Sequence, residues 1–192
     1  MKKEEVRMKK QISTCYPRIF PQFIENIQAM WYNFHIKRQD EYDSEGGEGM
    51  WYSALEVARY IITQCFEMGS PVSNLKLQKM LYFLWVDFYR ETGRMLFRDN
   101  ICAWQLGPVV PEVYYEFCSY AGSPICGFYT TTIASDDAEE MNGIISEYVN
   151  IPASVLVNRT HESGTAWDAV YKNGAGNRKI IPFELIIKKE VG

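Results

Sequence analysis

The sequence predicts a mainly α-helical α+β fold: a compact helical domain around one central buried helix, with a small β-sheet at its side and an N-terminal extension. Three observations carry this prediction. Apolar residues make up 47% of the 192-residue chain and charged residues 23%, the balance of a folded globular protein. Residues 74–92 are apolar nearly all round, through Leu75, Leu77, Met80, Leu81, Leu84, Trp85, Val86 and Phe88, and such a helix belongs in the centre of a domain. The remaining pattern resolves into six or seven helices in all against two or three short strands. At roughly 150 residues per domain the length allows one domain and a tail.

The tail is residues 1–49. Phe23, Ile27, Met30, Trp31 and Phe34 recur at helical spacing, so a helix near 20–38 presents an apolar face to the main domain or to a partner. Residues 40–49 are acidic and glycine-rich without periodicity, a linker composition. The other reading of 1–49 is a frayed extension, or upstream sequence from an early start codon, since Met50 begins the better-patterned part.

The globular domain is residues 50–192. Trp51 to Met68 reads as a helix with Leu55, Ala58, Ile62 and Phe66 on one face, stopped by Gly69. Ser73 or Asn74 caps the central helix by accepting a backbone N–H that is otherwise unpaired, and Gly93 ends it. Ile101 to Leu106 reads as extended. Gly107-Pro108-Val109-Val110-Pro111 reads as a turn that launches a third helix, with proline near its first position and Glu112 in its positive first turn. Phe128 to Ile133, with three consecutive threonines, is β-prone. Helices follow over 136–149, 152–160 and Trp167 to Lys172. A loop covers 173–177, and Pro182 opens a last helix ending at Lys188-Lys189.

Composition excludes several functions. Five cysteines at positions 15, 65, 102, 118 and 126 are odd in number and lack CxxC spacing, so neither a disulfide framework nor a zinc site is expected. Only two histidines, His35 and His161, occur, and carboxylates do not cluster around them. No metal or cofactor is expected. The charged start lacks the apolar core of a secretory signal. The longest apolar run, Met80 to Val86, falls far short of the ~20 residues a membrane span needs. A cytoplasmic protein without membrane contact is expected. Net charge is −4, which does not attract nucleic acid. Lys2, Lys3, Arg7, Lys9 and Lys10 face Glu4 and Glu5, and no helix-turn-helix is evident.

His161 is the one histidine of the domain, with Glu162, Ser163 and Asp168 near it in sequence. No nucleophile elbow or reactive cysteine accompanies it, so the expectation is a helix-ending residue whose imidazole bonds a backbone carbonyl or stacks near Trp167. The Gly174-Ala175-Gly176 stretch lacks the third glycine and the preceding strand of a dinucleotide site. Gln78 sits on the face of Leu75, Leu81 and Trp85 and needs a hydrogen bond if buried, the Gly107-Pro108 turn being the expected partner. Asp87, between Val86 and Phe88, needs one as well.

Three blocks stand out together: Val72 to Phe83, Ala103 to Tyr114, and Thr160-His161-Glu162 with Trp167 and the closing Ile180 to Ile187 helix. In this order and spacing they resemble the Panacea antitoxin domain, a family that includes SocA-like proteolytic adaptor antitoxins and phage-associated GepA-like proteins. The resemblance covers about residues 51–192. It implies a non-enzymatic antitoxin of a type II toxin–antitoxin pair that neutralises a cognate toxin protein by direct binding. In the SocA-like branch it implies delivery of the toxin to a cytosolic ATP-dependent protease. The family carries no established catalytic residues, and none is assigned. Within the three blocks Gln78, Gly107, Pro108, Pro111, Thr160, His161 and Trp167 are expected to form the structural motif. The chain departs from the family in bulky Leu84, Trp85 and Val86 and in the N-terminal extension. A partner-binding surface is expected at the exposed start of the central helix and the Gly107 turn, with Lys76, Lys79, Trp104 and Glu112. The face bearing Trp31 and Phe34 is a rival.

Overall fold

The computed structural model describes residues 51–192, which fall within the unit Met50–Gly192. The helix foreseen near 20–38, with Trp31 and Phe34, and the linker 40–49 lie outside the described residues. The fold is mainly helical with one small antiparallel sheet.

Helix α1 (Ala54–Glu67) begins where the Ser53 hydroxyl accepts from Glu56 N–H, three residues inside the foreseen start. Helix α2 (Asn74–Thr92) is capped by Ser73 and ends on Gly93 in the left-handed region. It is the central helix, packed against α1, the second strand of the sheet and several of the helices that follow it. Leu81, Leu84, Trp85 and Phe88 are fully buried. The Trp85 ring stacks on Tyr89 and Phe183, and its N–H donates to the Phe97 carbonyl at 3.0 Å. Asp87 finds its partner in the Tyr148 hydroxyl, 2.6 Å away, beside an ion pair with Arg90.

The stretch after α2 forms a hairpin. Strand β1 (Cys102–Trp104) pairs antiparallel with β2 (Gly107–Val109), Trp104 lying opposite Gly107. The foreseen turn at 107–111 is thereby corrected: the reversal is at Gln105-Leu106, and Gly107 and Pro108 are strand residues. The outer edge of β1 is covered by residues 178–181, with Ala103 N–H on the Lys179 carbonyl at 2.8 Å and Ile181 N–H on the Ile101 carbonyl at 2.8 Å. Pro111 then opens α3 (Pro111–Glu116).

Residues 128–133 form no strand, contrary to their β-propensity. The strands of the sheet lie elsewhere, so their backbone donors end on side chains of the first helical segment. Tyr129 N–H reaches Thr63 Oγ1 at 2.9 Å, and Thr132 N–H reaches Glu56 Oε1 at 2.8 Å. Helices α4 (Ser135–Tyr148), α5 (Ala153–Thr160) and α6 (Ala166–Tyr171) follow as foreseen to within a few residues. The 173–177 loop starts as a 3-10 turn, Lys172–Gly174. Pro182 opens α7 (Phe183–Ile186), which widens into a π-helical turn over Ile187–Val191. Among the described residues no helix is long and apolar enough to cross a membrane.

Candidate functional site

The motif residues Gln78, Gly107, Pro108 and Thr160 lie where the start of α2 meets the hairpin and the end of α5. Gln78 is buried. Its carbonyl oxygen accepts from Val110 N–H at 2.9 Å, one residue from where α3 begins, and its amide nitrogen lies 3.4 Å from Asn74 Oδ1. Asn74 in turn donates to the Tyr114 carbonyl at 2.9 Å. Two side chains of α2 thus satisfy the backbone that enters α3, as a buried segment requires.

Lys79 is fully buried. Its ammonium nitrogen donates to the Pro108 carbonyl at 2.7 Å. Burial alone pulls the amine down to about 7, since a charged group out of water is disfavoured. This corrects its place on an exposed helix end. Lysine stems are usually solvated at the tip, but here the hairpin closes over the amine. Gly107, at φ +103, packs against that same amine. A Cβ on it falls 2.5 Å from Lys79 Nζ and 2.5 Å from Thr160 Oγ1. Thr160 is buried at the last turn of α5, its hydroxyl donating to the Val157 carbonyl at 2.8 Å.

His161 caps α5 and lies on Trp167, ring centroids 3.9 Å apart and planes 13° from parallel; Trp167 continues the stack onto Tyr171. The stacking reading of His161 therefore holds, and its Nε2 is buried without a hydrogen-bond partner. Burial first, then the charge of Lys79, lower its pKa. The Trp167 indole N–H donates to the Trp104 carbonyl at 2.8 Å, joining α6 to β1. The arrangement offers no nucleophile–base pair: the threonine proton is committed to a carbonyl, and the lysine amine is sealed in the core. No group of three or more metal-ligating residues occurs among the described residues.

Of the surface candidates, Lys76 is half-buried and donates to the Val149 carbonyl at the end of α4, with burial lowering its pKa. Trp104 and Glu112 are half-buried on the outside of the hairpin and α3. Sequence reasoning missed what surrounds Trp104. Its ring lies 4.9 Å from Tyr114 and 6.1 Å from Tyr115, with the Arg178 guanidinium 5.2 Å from its centroid. Leu106, Tyr115 and Ile180 are exposed large apolar residues, 52% in the case of Leu106 and 53% for Ile180. The Tyr114-Tyr115 doublet in a short helix was the available signal, and Arg178 had none, because its approach depends on the 178–181 pairing.

The family described as "Antitoxin SocA-like, Panacea domain" matches residues 77–168. The curated protein named Antitoxin SocA, from Caulobacter vibrioides (strain NA1000 / CB15N), is 32% identical over 138 residues, covering 64% of this chain and 72% of that protein. No solved structure matches.

Proposed function

The chain belongs to the SocA-like family of Panacea-domain antitoxins, and from that premise we propose that it neutralises a cognate toxin protein by direct binding, as the antitoxin of a type II pair. The observation that carries the reading is the similarity to Antitoxin SocA, which covers 64% of this chain and 72% of that protein. The site agrees with it. Lys79, Gly107 and Thr160 are committed to internal packing, and what they hold outward is an aromatic surface, the residue class that anchors protein interfaces.

Co-expression tests the proposal. The protein encoded by the neighbouring reading frame is induced in a host cell with and without this chain. Growth arrest relieved by the full chain, with a stable complex recovered from the same cells, is the expected result. A neighbouring product that is not toxic, or is toxic but neither bound nor relieved, ends the proposal. Relief with falling toxin abundance, abolished in a host lacking its ATP-dependent proteases, replaces sequestration by proteolytic delivery.

A further inference from the structure

Resting on the antitoxin reading, we infer that the face formed by Trp104, Leu106, Tyr114, Tyr115, Arg178 and Ile180 docks an acidic, apolar-bearing segment of the partner protein, with Arg178 as its charged anchor. Three observations converge there.

The first is apolar exposure. Leu106 at the hairpin tip and Ile180 on the strand-like edge are half exposed, and the rings of Trp104, Tyr114 and Tyr115 touch one another between them and α3. The pairing of Cys102 with Ile180 puts Trp104 and Arg178 on the same face of the sheet. Half-buried Trp104 and Tyr114 beside exposed Tyr115 and Arg178 give the composition of an interface centre.

The second is the backbone of Arg178. It sits in the left-handed region at φ +66, where glycine or asparagine is accommodated with less strain. Its main chain joins the sheet edge, Arg178 N–H donating to the Ala103 carbonyl at 2.6 Å. Among the described residues its side chain makes no hydrogen bond or ion pair. It is exposed and lies against the Trp104 ring. A strained non-glycine residue whose side chain leaves its charge unpaired points to function.

The third is charge. Residues 172–181 hold Lys172, Arg178 and Lys179 without an acidic residue, in a chain of net charge −4. No carboxylate of the described residues pairs with Arg178, whereas Glu116 on nearby α3 is already held by Arg59 at 3.1 Å. A cation stacked on an aromatic ring and lacking a counter-ion selects a carboxylate from its partner.

Titration calorimetry of the full chain against the protein encoded beside it tests the assignment. Arg178→Glu weakens binding by about 30-fold or more, the size of a hot-spot loss. Arg178→Gly weakens it by about 10-fold or more while raising the melting temperature, because the backbone strain is relieved. Wild-type affinity falls more steeply than that of Arg178→Gly between low and high salt. Arg178→Glu and Arg178→Gly binding as tightly as wild type, or Arg178→Glu binding more tightly, overturns the inference and leaves the antitoxin reading intact. A dimer of the unpartnered chain that Arg178→Glu disperses gives the face to a second copy and also overturns it. A wild-type chain that neither binds nor neutralises removes the antitoxin reading and the inference with it.

Discussion

Lys79 reaches the core because its amine meets a carbonyl there, not because it meets a charge. Lysines are almost never fully buried without a partner, and no periodicity distinguishes one that is. Its position facing the hairpin becomes visible only once Pro108 is placed 2.7 Å away. The consequence is a pH dependence. In the unfolded chain the amine titrates near 10.5, in the folded chain near 7. Between these values the unfolded state holds a proton that the folded state lacks, so this group makes stability rise with pH through that window. Below about 7 both states are protonated and the burial penalty is complete. Denaturant melts at pH 6, 7 and 8 should show wild type gaining stability relative to Lys79→Met as pH rises. A constant difference would mean that the amine stays charged in the fold. Thiols and phenols raised by burial, Cys65 and Tyr129 among them, oppose the trend only at higher pH. Gly107 supplies the companion test. A methyl group at φ +103 meets Lys79 and Thr160 at 2.5 Å each, so Gly107→Ala should cost about 2–4 kcal/mol from backbone strain and overpacking, read as a lower denaturant midpoint with an unchanged slope. The need for glycine here was legible in the Gly107-Pro108-Val109-Val110-Pro111 run; the two atoms that impose it were not.

At the scale of elements, periodicity located the helices well. Nearly continuous apolar sequence identified α2 as the centre, and Ser73 and Gly93 marked its ends, because caps are local chemistry. What failed was non-local. The extended residues 101–106 are legible, but the expected turn at 107–111 falls too late, since Gly107-Pro108 carries a turn signature and yet pairs with Trp104 and Ala103. Phe128 to Ile133 has strand propensity and no strand edge to join, so Thr63 and Glu56 take its backbone donors instead. Propensity of this kind describes a fit to neighbours that sequence does not display. Helix α4 shows the reverse case, a residue whose local cost is left uncompensated. Gly143 lies in its interior, and a Cβ there meets nothing within 4 Å. Gly143→Ala should therefore stabilise the protein by about 0.5–1 kcal/mol through helix propensity alone. Thermal melts decide this, and an unchanged or lower midpoint would reveal a role for the bare backbone that the packing does not.

For the molecule as a whole, stability is distributed by how each segment satisfies its backbone. Helix α2 buries both its side chains and its ladder, packed by α1, α4, α5, β2 and the C-terminal turn. Its amides can open only when most of those neighbours leave together. Residues 121–134 stand at the other extreme. They run outside regular structure for most of their length, and Tyr129, Thr132 and Ala134 donate to side chains of Thr63, Glu56 and Tyr52. Those acceptors need only a rotamer change to let go, while Ile125, buried and bonded to the Val72 carbonyl at 2.8 Å, pins the segment near its start. Local opening free energies therefore span the range from nearly zero to the global value. Hydrogen exchange followed by mass spectrometry should find α2 exchanging last, at the rate of global unfolding, and 127–134 orders of magnitude sooner. The hairpin should fall between them, because Lys79 and Gln78 fasten it to α2 by side chains on one edge while residues 178–181 cover the other by backbone. In Lys79→Met the hairpin amides should move toward the fast class while α2 keeps its protection. Equal slowing or quickening of both would show that the hairpin and the central helix open as one unit, and that the buried amine fastens nothing the core does not already hold.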